Sequence, residues 1–321
     1  MLPPDNHIHT QFSWDTRSRS SMIRACEQAV SAGLPAVAFT EHVDFTAWGE
    51  RDLPMNDVPE ARAKGGIQPL DVEGYSASIQ ECQERFRDLR ILSGIEAGEP
   101  HLFSGSVADL LRQATFDRVL GSLHSLPRDG LLVGVGWFLS AESAYDVVRD
   151  YCAELLRMVE SSDVFEVLAH FDYPRRYWPR GAGTYEDAKV EEEHRSVFRA
   201  LASSGRVLEI NTASPLVSAT ALRWWYDEGG AAVSFGSDAH TPNRVGDGFE
   251  VAMDVAEAAG FRPGRDRFDL APLSCAGSPV TGERGSGVPA GEGVQGGAIQ
   301  VCCRADLGVA EGSTVQPADE D

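Results

Sequence analysis

The sequence predicts an α/β protein, a (β/α) barrel of seven strand-then-helix units related to the eight-unit TIM barrel. Two observations favour this fold. Short apolar runs alternate with amphipathic segments over roughly residues 1–270, and parallel strands need a helix in each crossover connection. Nothing resembling GxGxxG follows the first apolar run, which weakens the alternative, an open doubly wound sheet.

Each unit consists of an apolar run with strand character and a stretch with helical periodicity. The predicted strands end, in order, at His9, Thr40, Glu96, Leu123, Ala169, Ile210 and Ser237. The predicted helices cover residues 19–33, 72–89, 104–114, 141–160, 186–204, 218–229 and 246–260. This order places a helix between each strand and the next, as a ring of parallel strands requires.

The composition changes near residue 270. Residues 271–321 contain ten glycines and four prolines but no aromatic residue, so this segment cannot bury much apolar surface. We therefore predict a barrel domain over residues 1–270 and a disordered, acidic Gly/Pro-rich tail over residues 271–321.

The charge balance limits the classes of partner. The chain has 49 acidic and 28 basic residues, a net charge of −21, which disfavours long nucleic acids and anionic membrane surfaces. An anionic substrate would need a local positive centre. The sequence has no apolar stretch of membrane-spanning length, no signal-peptide pattern and no CxxC, which predicts a cytoplasmic protein without disulfides. It carries no signal for oligomeric state.

Imidazoles and carboxylates recur at the predicted strand ends. In a barrel, the C-terminal ends of the strands form the functional face. The candidates are His7, His9, Asp15, His42, Glu96, His124, His170, Asp172, Asp238 and His240. Any one of them alone would most often be a structural or solvated residue, but together they form a mixed set that suits Zn, Mn or Fe.

The other two histidines are interpreted differently. His194 follows the acidic run at 191–193 in a helical pattern, so we predict that it faces solvent. His101 lies just past Pro100 after the third strand, where both a pocket-lining and a structural role are open.

The motifs His7-Ile8-His9-Thr10 and Ser237-Asp238-Ala239-His240, with the strand-end residues between them, carry a family resemblance. The chain resembles the polymerase and histidinol phosphatase (PHP) superfamily, and most closely its histidinol-phosphate phosphatase branch. The resemblance covers the body of the chain and excludes the tail. It implies a distorted (β/α)7 TIM-like barrel that holds two or three divalent metal ions, Zn, Mn or Fe.

Carried over motif by motif, the resemblance implies three metal positions. The first is held by His7, His9, Glu96 and Asp238. Glu96 bridges to a second, which His124 and His170 complete, and the third is held by Asp15, His42 and His240. Many relatives have histidine at the position of Asp15, which implies a weaker third site or one that prefers a harder ion.

The resemblance also implies an activity, a metal-dependent phosphomonoesterase that converts L-histidinol phosphate to L-histidinol and phosphate in histidine biosynthesis. Its partner is then a small phosphorylated metabolite. Arg176 matches a phosphate-binding arginine of the family, and Arg17 is a second candidate for the phosphate. From their positions near strand ends, Asp172 is a candidate proton donor or ligand-orienting group, and Asn211 a contact to substrate or to a ligand. Glu41 is expected to support the ligands from behind.

Three alternatives stay open from the sequence. Amidohydrolases also begin with HxH, but their common binuclear form needs a lysine at the end of the fourth strand. The only lysines are Lys64, after the second predicted strand, and Lys189, in a later predicted helix, so only a mononuclear, deaminase-like form stays open. A phosphoesterase of this superfamily acting on another small phosphate ester or a nucleotide is the second, with residues 44–70 as a candidate substrate-selecting lid. The third is a degenerate scaffold barrel, which the complete ligand set disfavours.

Overall fold

The structure, a computed structural model, describes residues 2–45, 68–129, 131–213, 215–263 and 271–272. The strands are β1 Asp5–Ile8, β2 Ala36–Val43, β3 Arg90–Gly98, β4 Arg118–Ser122, β5 Ser125–Arg128, β6 Leu131–Gly134, β7 Val167–Leu168, β8 Val207–Asn211, β9 Ala232–Gly236 and β10 Ala271–Pro272. The α-helices are α1 Met22–Ala32, α2 Val72–Arg85, α3 Ser104–Leu111, α4 Val135–Ala141, α5 Ala144–Ser161, α6 Glu191–Ser203, α7 Ala219–Asp227 and α8 Phe249–Ala259.

Seven of these strands form one parallel sheet in the order β1-β2-β3-β4-β7-β8-β9, and β10 pairs antiparallel with the outer edge of β9. The sheet curls until its two ends meet. Ile8 forms a parallel bridge with Ala239, His9 N–H donates to the Ala239 carbonyl at 3.0 Å, and Asp238 N–H donates to the His7 carbonyl at 2.8 Å. The predicted seven-stranded, TIM-like barrel is therefore confirmed.

The helices cover the outside of the barrel because each has one apolar face. In α1 the buried residues are Met22, Ala25, Cys26 and Ala29, a helical spacing. This helix ends at Gly33, whose left-handed φ of 73° lets its N–H bond the carbonyls of Ala29 and Val30. The helix faces and the outward side chains of the strands together form the main core.

Inside the barrel, the residues paired across neighbouring strands change from polar on β2 and β3 to apolar on β4 and β7. The backbone register places His42 beside Glu96, Glu96 beside Leu120, and Leu120 beside Val167. Leu120, Val167 and Ala169 form a small buried cluster of their own. These apolar side chains fill part of the barrel interior, while His42 and Glu96 lie among the predicted ligands.

One part of the fold was not predicted. A hairpin, β5–β6, and the short helix α4 lie between β4 and α5, where the sequence analysis placed no element. They extend the connection after His124.

Several sequence predictions fall outside the described residues. These are most of the candidate lid, residues 46–67, and the tail from residue 273 onward. The domain boundary near residue 270 stays a prediction. Among the described residues, no helix is both long and apolar enough to cross a membrane.

Candidate metal centre

The nine predicted ligands meet at the C-terminal end of the barrel. Alternation along β1 points His7 and His9 to the same side, into the barrel mouth. Four groups of three side chains have ligand atoms within 4.8 Å of one another. They are His7, His9 and Asp238; His7, Glu96 and His170; His42, Glu96 and His124; and His9, His42 and His240.

Glu96 lies at the centre of the cluster and is fully buried. Its Oε1 lies 2.7 Å from Nε2 of His170 and 3.3 Å from Nε2 of His124. Its Oε2 faces three other imidazole nitrogens at 3.4, 3.5 and 2.8 Å, those of His7, His9 and His42. The two carboxylate oxygens therefore face two different sets of histidines, as a bridging carboxylate would.

Asp238 completes the set around β1. Its Oδ1 lies 3.1 Å from Nε2 of His9 and 3.6 Å from Nε2 of His7. Both Asp238 and His170 have a positive φ, 50° and 21°, which costs about 1–3 kcal/mol for a residue with a side chain. Such strain is kept where the surrounding structure needs a side chain in one particular place.

Asp15, His42 and His240 form the outer part of the cluster. Nε2 of His240 lies 3.1 Å from Oδ2 of Asp15 and 3.4 Å from Nε2 of His42. Asp15 is farther from His42, at 3.9 Å. The side chain of His240 is 30% exposed, so this group lies nearest to solvent.

Hydrogen bonds behind the cluster fix which nitrogen of each histidine is free. Glu209 Oε1 lies 2.7 Å from Nδ1 of His7, and because a carboxylate only accepts, His7 must carry its proton there. Ser13 donates to Glu41 at 2.6 Å, which leaves its hydroxyl oxygen to accept from Nδ1 of His9 at 3.1 Å. Nε2 is thus the nitrogen that both histidines present to the cluster and that a metal ion would take.

The predicted supporting role of Glu41 agrees with these contacts. Its carboxylate also accepts the backbone N–H of Thr10 at 2.9 Å, and Ser13 accepts the N–H of His42 at 2.9 Å. The loop after β1 and the end of β2 are therefore tied together beneath His9.

The electrostatics of the site favour a bound cation. Burial opposes the charge on Glu96, but His7, His42 and His124 lower the pKa of its carboxyl well below the usual value. Burial alone would lower the pKa of His7, but the carboxylates of Glu209 and Glu96 outweigh it and raise this pKa well above the usual value. Burial, with His42 and His240 nearby, lowers the pKa of His9 to about 3, so this imidazole is neutral, as a metal ligand must be.

The residues present fit divalent metal ions. Imidazole nitrogens with carboxylate oxygens are the donors that Zn, Mn and Fe take in proteins. Oδ1 of Asp15 is buried without a hydrogen-bond partner among the described residues, and Nδ1 of His42 and Oε2 of Glu96, although 2.8 Å apart, form no hydrogen bond with each other or with another described residue. A buried polar atom without a partner is costly, and a metal ion would satisfy these atoms. The cluster has the composition and spacing of a divalent-metal site.

The predicted substrate and catalytic residues differ in how close they lie to the cluster and in how their side chains are bonded. Arg176 lies beside the cluster, where its Nη2 donates to Asp238 Oδ2 at 2.5 Å and to Asn211 Oδ1 at 3.1 Å. Asp172 is buried but is bound by Arg175 at 3.0 Å. Arg17 is exposed and makes no hydrogen bond or ion pair with any described residue.

His194 contradicts its prediction. It is 2% exposed and lies against Phe171, Phe198 and Trp224, with ring centroids 5.2, 6.1 and 6.2 Å away. The acidic run before it faces outward, but His194 shares the apolar stripe of α6 with Val197, Phe198 and Leu201. His101, for which two roles were open, bonds Glu154 at 2.8 Å in a pair whose side chains are 4% exposed.

Sequence reasoning missed the buried acids behind the histidines, of which Glu209 and Asp44 face the imidazole rings. Glu209 bonds His7, and Asp44 lies 3.6 Å from Nδ1 of His124 and accepts from Trp14 at 2.6 Å. The signal was in the strands. Glu209 alternates with Asn211 in an otherwise apolar run, and Asp44 follows His42 by two residues.

Comparison with known proteins identifies the family. The family model described as PHP domain matches residues 5–213 of this chain. The chain belongs to the PHP domain family. The matched range contains seven of the nine clustered residues. The other two, Asp238 and His240, follow β9 and lie beyond that range in the sequence.

Curated relatives of this PHP-domain protein extend over most of its length. Histidinol-phosphatase of Lactococcus lactis subsp. lactis is 27% identical over 266 residues, 80% of this chain and 91% of that protein. Probable histidinol-phosphatase of Thermotoga maritima is 32% identical over 259 residues, 78% of this chain and 89% of that protein.

Solved structures agree with the fold. The crystal structure of the histidinol phosphate phosphatase of Lactococcus lactis, complexed with Zn, L-histidinol and phosphate, has a TM-score of 0.68 at 24% identity, covering 81% of this chain and 95% of that one. A putative histidinol phosphatase of Listeria monocytogenes has a TM-score of 0.65 at 15% identity, covering 77% and 99%. At these identities the likeness concerns the PHP barrel itself.

Proposed function

We propose that this PHP-domain protein is a metal-dependent phosphomonoesterase that hydrolyses L-histidinol phosphate to L-histidinol and phosphate, a cytoplasmic step of histidine biosynthesis. The observation that carries the proposal is the match to a curated histidinol-phosphatase along 91% of that protein's length. The cluster around Glu96 supports the same chemistry, because mixed His/Asp/Glu sites suit the metals that hydrolyse phosphate esters.

In this proposal the protein binds two or three divalent ions (Zn, Mn or Fe), and each ion is assigned to one group of neighbouring side chains. His7, His9, Glu96 and Asp238 hold the first, supported by the facing Nε2 and carboxylate atoms described above. Glu96 would also help to hold the second ion, together with His124 and His170, whose Nε2 atoms both face Oε1 of Glu96.

A third ion is assigned to the outer group of Asp15, His42 and His240. The 3.1 Å contact between Asp15 and His240 supports a shared ligand position there. The greater exposure of His240 favours weaker binding at this position than at the other two.

When bound, divalent ions at this site supply positive charge to the phosphoryl oxygens and lower the pKa of the attacking water. Arg176 adds a planar guanidinium for the phosphate. Its Nη2 is used by Asp238 and Asn211, while Nε is buried without a hydrogen-bond partner among the described residues. Asp238 and Asn211 thus orient the guanidinium, and Nη1, which bonds no described residue, is left for substrate.

Asp172 is proposed as the proton donor to the leaving alkoxide. Burial raises the pKa of its carboxyl, more than Arg175 and Arg176 lower it, which favours a protonated acid nearer neutral pH. Arg17 is proposed as a second phosphate contact, since its exposed guanidinium is not used by another described residue. Asn211 is proposed to reach the substrate beside Arg176.

The amidohydrolase alternative gains no support from the lysines. Lys189 lies in a short 3-10 helix, Asp187–Val190, and pairs with Glu186 at 2.6 Å on the surface, with 50% of its side chain exposed. Lys64 lies outside the described residues. Hydrolysis of another small phosphate ester or a nucleotide is the remaining alternative, which a substrate screen distinguishes.

The test is a substrate screen with the purified full chain, loaded with Zn²⁺ or Mn²⁺, against L-histidinol phosphate, sugar phosphates and mononucleotides. We expect kcat/KM for L-histidinol phosphate to exceed that for any other substrate by roughly tenfold or more, as expected when a site pairs with polar groups of one leaving group. A clear preference for a nucleotide would overturn the substrate assignment, and a metal-loaded protein without phosphatase activity would overturn the reaction class.

A further inference from the structure

Glu209 is a buried acid that the ligand assignments leave without a role. It lies on β8 between Val207 and Asn211, and alternation points all three into the barrel. Its side chain is almost fully buried, directly beneath the histidine cluster. On the neighbouring strand β9, Gly236, whose register partner is Asn211, leaves room for the carboxylate: an added Cβ there would lie 2.1 Å from Glu209 Oε1. The carboxylate therefore occupies space that any side chain at position 236 would take.

One carboxylate oxygen of Glu209 controls His7. Oε1 lies 2.7 Å from Nδ1 of His7, and neither atom has an alternative partner as close. Because Nδ1 of His7 must carry a proton for this contact, Nε2 is the nitrogen that faces Glu96 and Asp238 and that is available to a metal ion. Without an acceptor at this place, the other tautomer would put a proton where the first metal ion is proposed to bind.

The other oxygen controls His170. Oε2 accepts the backbone N–H of His170 at 2.8 Å and the side-chain amide of Asn211 at 3.1 Å. His170 has a φ of 21°, a conformation that a side-chain-bearing residue rarely adopts without support. The bond from Glu209 holds this backbone turn so that Nε2 of His170 reaches Glu96 at 2.7 Å.

We infer that Glu209 is a positioning residue that holds one histidine of each of the two metal positions at once, His7 through its ring and His170 through its backbone. The inference rests on the ligand assignment of the proposed function. It predicts that two metal-binding steps depend on a single side chain that contacts no metal. Loss of an outer hydrogen-bond partner of this kind typically weakens metal binding about 10–100-fold.

The two oxygens can be separated by substitution. Glu209→Ala removes both acceptors. Glu209→Gln keeps one carbonyl oxygen and replaces the other with an NH₂ group, which cannot accept from either His7 or His170. Glu166→Ala is the matched control, because Glu166 also accepts a backbone N–H across strands, that of Val119 at 3.2 Å, but at the opposite end of the barrel.

The experiment is a titration of the metal-free full chain with Co²⁺, followed by absorbance and by competition with a chromophoric chelator. We expect Glu209→Ala to weaken two binding steps by about 10–100-fold each, Glu209→Gln to weaken one, and Glu166→Ala to weaken neither. If Glu209→Ala binds Co²⁺ within twofold of the unsubstituted chain, or loses only one step, the inference is wrong.

A measurement on the unsubstituted chain covers the case in which Glu209→Ala does not fold. With ¹⁵N-labelled histidine and Zn²⁺ bound, we expect NMR to find the His7 proton on Nδ1 and the metal on Nε2. A proton on Nε2 would overturn the inference. Neither measurement uses a substrate, so a preference for a different phosphate ester would refute the proposed substrate and leave this inference standing.

Discussion

Arg176 and Asp238 form an ion pair in which Nη2 of the guanidinium lies 2.5 Å from Oδ2 of the carboxylate. The other oxygen of Asp238 faces His9 at 3.1 Å. The Asp238 carboxylate therefore contacts both the histidine cluster and the Arg176 guanidinium, which is proposed to bind the phosphate. The ring of Tyr173, 4.9 Å from the guanidinium carbon, supports Arg176 from a further side.

We predict that Arg176→Lys lowers kcat/KM for L-histidinol phosphate by roughly 10²–10³-fold, because lysine keeps the charge but cannot present planar paired donors. Steady-state kinetics measures the effect. The control is Arg85→Lys, in a surface pair with Glu27 whose side chains are each 50% exposed. Equal kinetics for Arg176→Lys and the unsubstituted chain would show that the guanidinium does not contact the reacting phosphate.

Glu96→Gln is expected to abolish hydrolysis, because an amide cannot offer an anionic oxygen to both sets of histidines. Losing several kcal/mol of charge stabilisation corresponds to a fall in kcat of roughly 10³-fold or more. Elemental analysis should find less bound metal, while the circular dichroism spectrum stays that of the unsubstituted chain. Glu27→Gln on the surface is the control, and a fully active Glu96→Gln protein would exclude the bridging role.

Gly236→Ala is expected to damage the site without adding or removing a polar group. The new Cβ would lie 2.1 Å from Glu209 Oε1 and 2.6 Å from Cβ of His7, and both neighbours are buried. We expect a loss of about 1–3 kcal/mol in the free energy of unfolding and weaker metal binding. Gly105→Ala on α3, where a Cβ meets open space, should change stability by less than about 1 kcal/mol. Urea unfolding and Co²⁺ titration measure both effects.

His194 should make the fold sensitive to mild acid. Burial, with Arg175 nearby, lowers its pKa to about 4 from an ordinary value of 6.5. Between these values the unfolded chain binds the proton and the folded chain does not, so stability is complete above pH 6.5 and is lost as the pH falls towards 4. The full loss is about 3 kcal/mol.

Urea unfolding at pH 7.5 and at pH 5 measures this loss. His194→Leu, which cannot be protonated, should have a smaller difference between the two pH values than the unsubstituted chain. An identical pH dependence in both proteins would mean that other groups cause the acid sensitivity.

Much of the fold and of the cluster was predictable, because both follow from the same repeating pattern. His42, Glu96 and Asp238 each follow an apolar run, and parallel strands bring the ends of such runs to one face. The barrel closes through the backbone bond between His9 and Ala239. A closed ring of strands requires such a contact, although nothing in the sequence near either residue indicates it.

The parts that were missed depend on contacts between distant segments. Nothing beside Glu209 in the sequence shows that its carboxylate meets His7, which lies 202 positions earlier. His194 was placed in solvent because its acidic neighbours were weighted above the stripe it shares with Phe198. The β5–β6 hairpin was missed because the strands that its residues form are only four residues each.

The closure of the barrel through its first strand also has a consequence in time. His9 and Asp238 are 229 positions apart, yet their side chains meet at 3.1 Å. At a synthesis rate of about 5–20 residues per second, a ribosome making this chain completes Asp238 roughly 10–50 seconds after His9. For that interval the first histidines exist without the last carboxylate, so the side chains proposed to hold the first metal ion are complete only after nearly the whole barrel has been made.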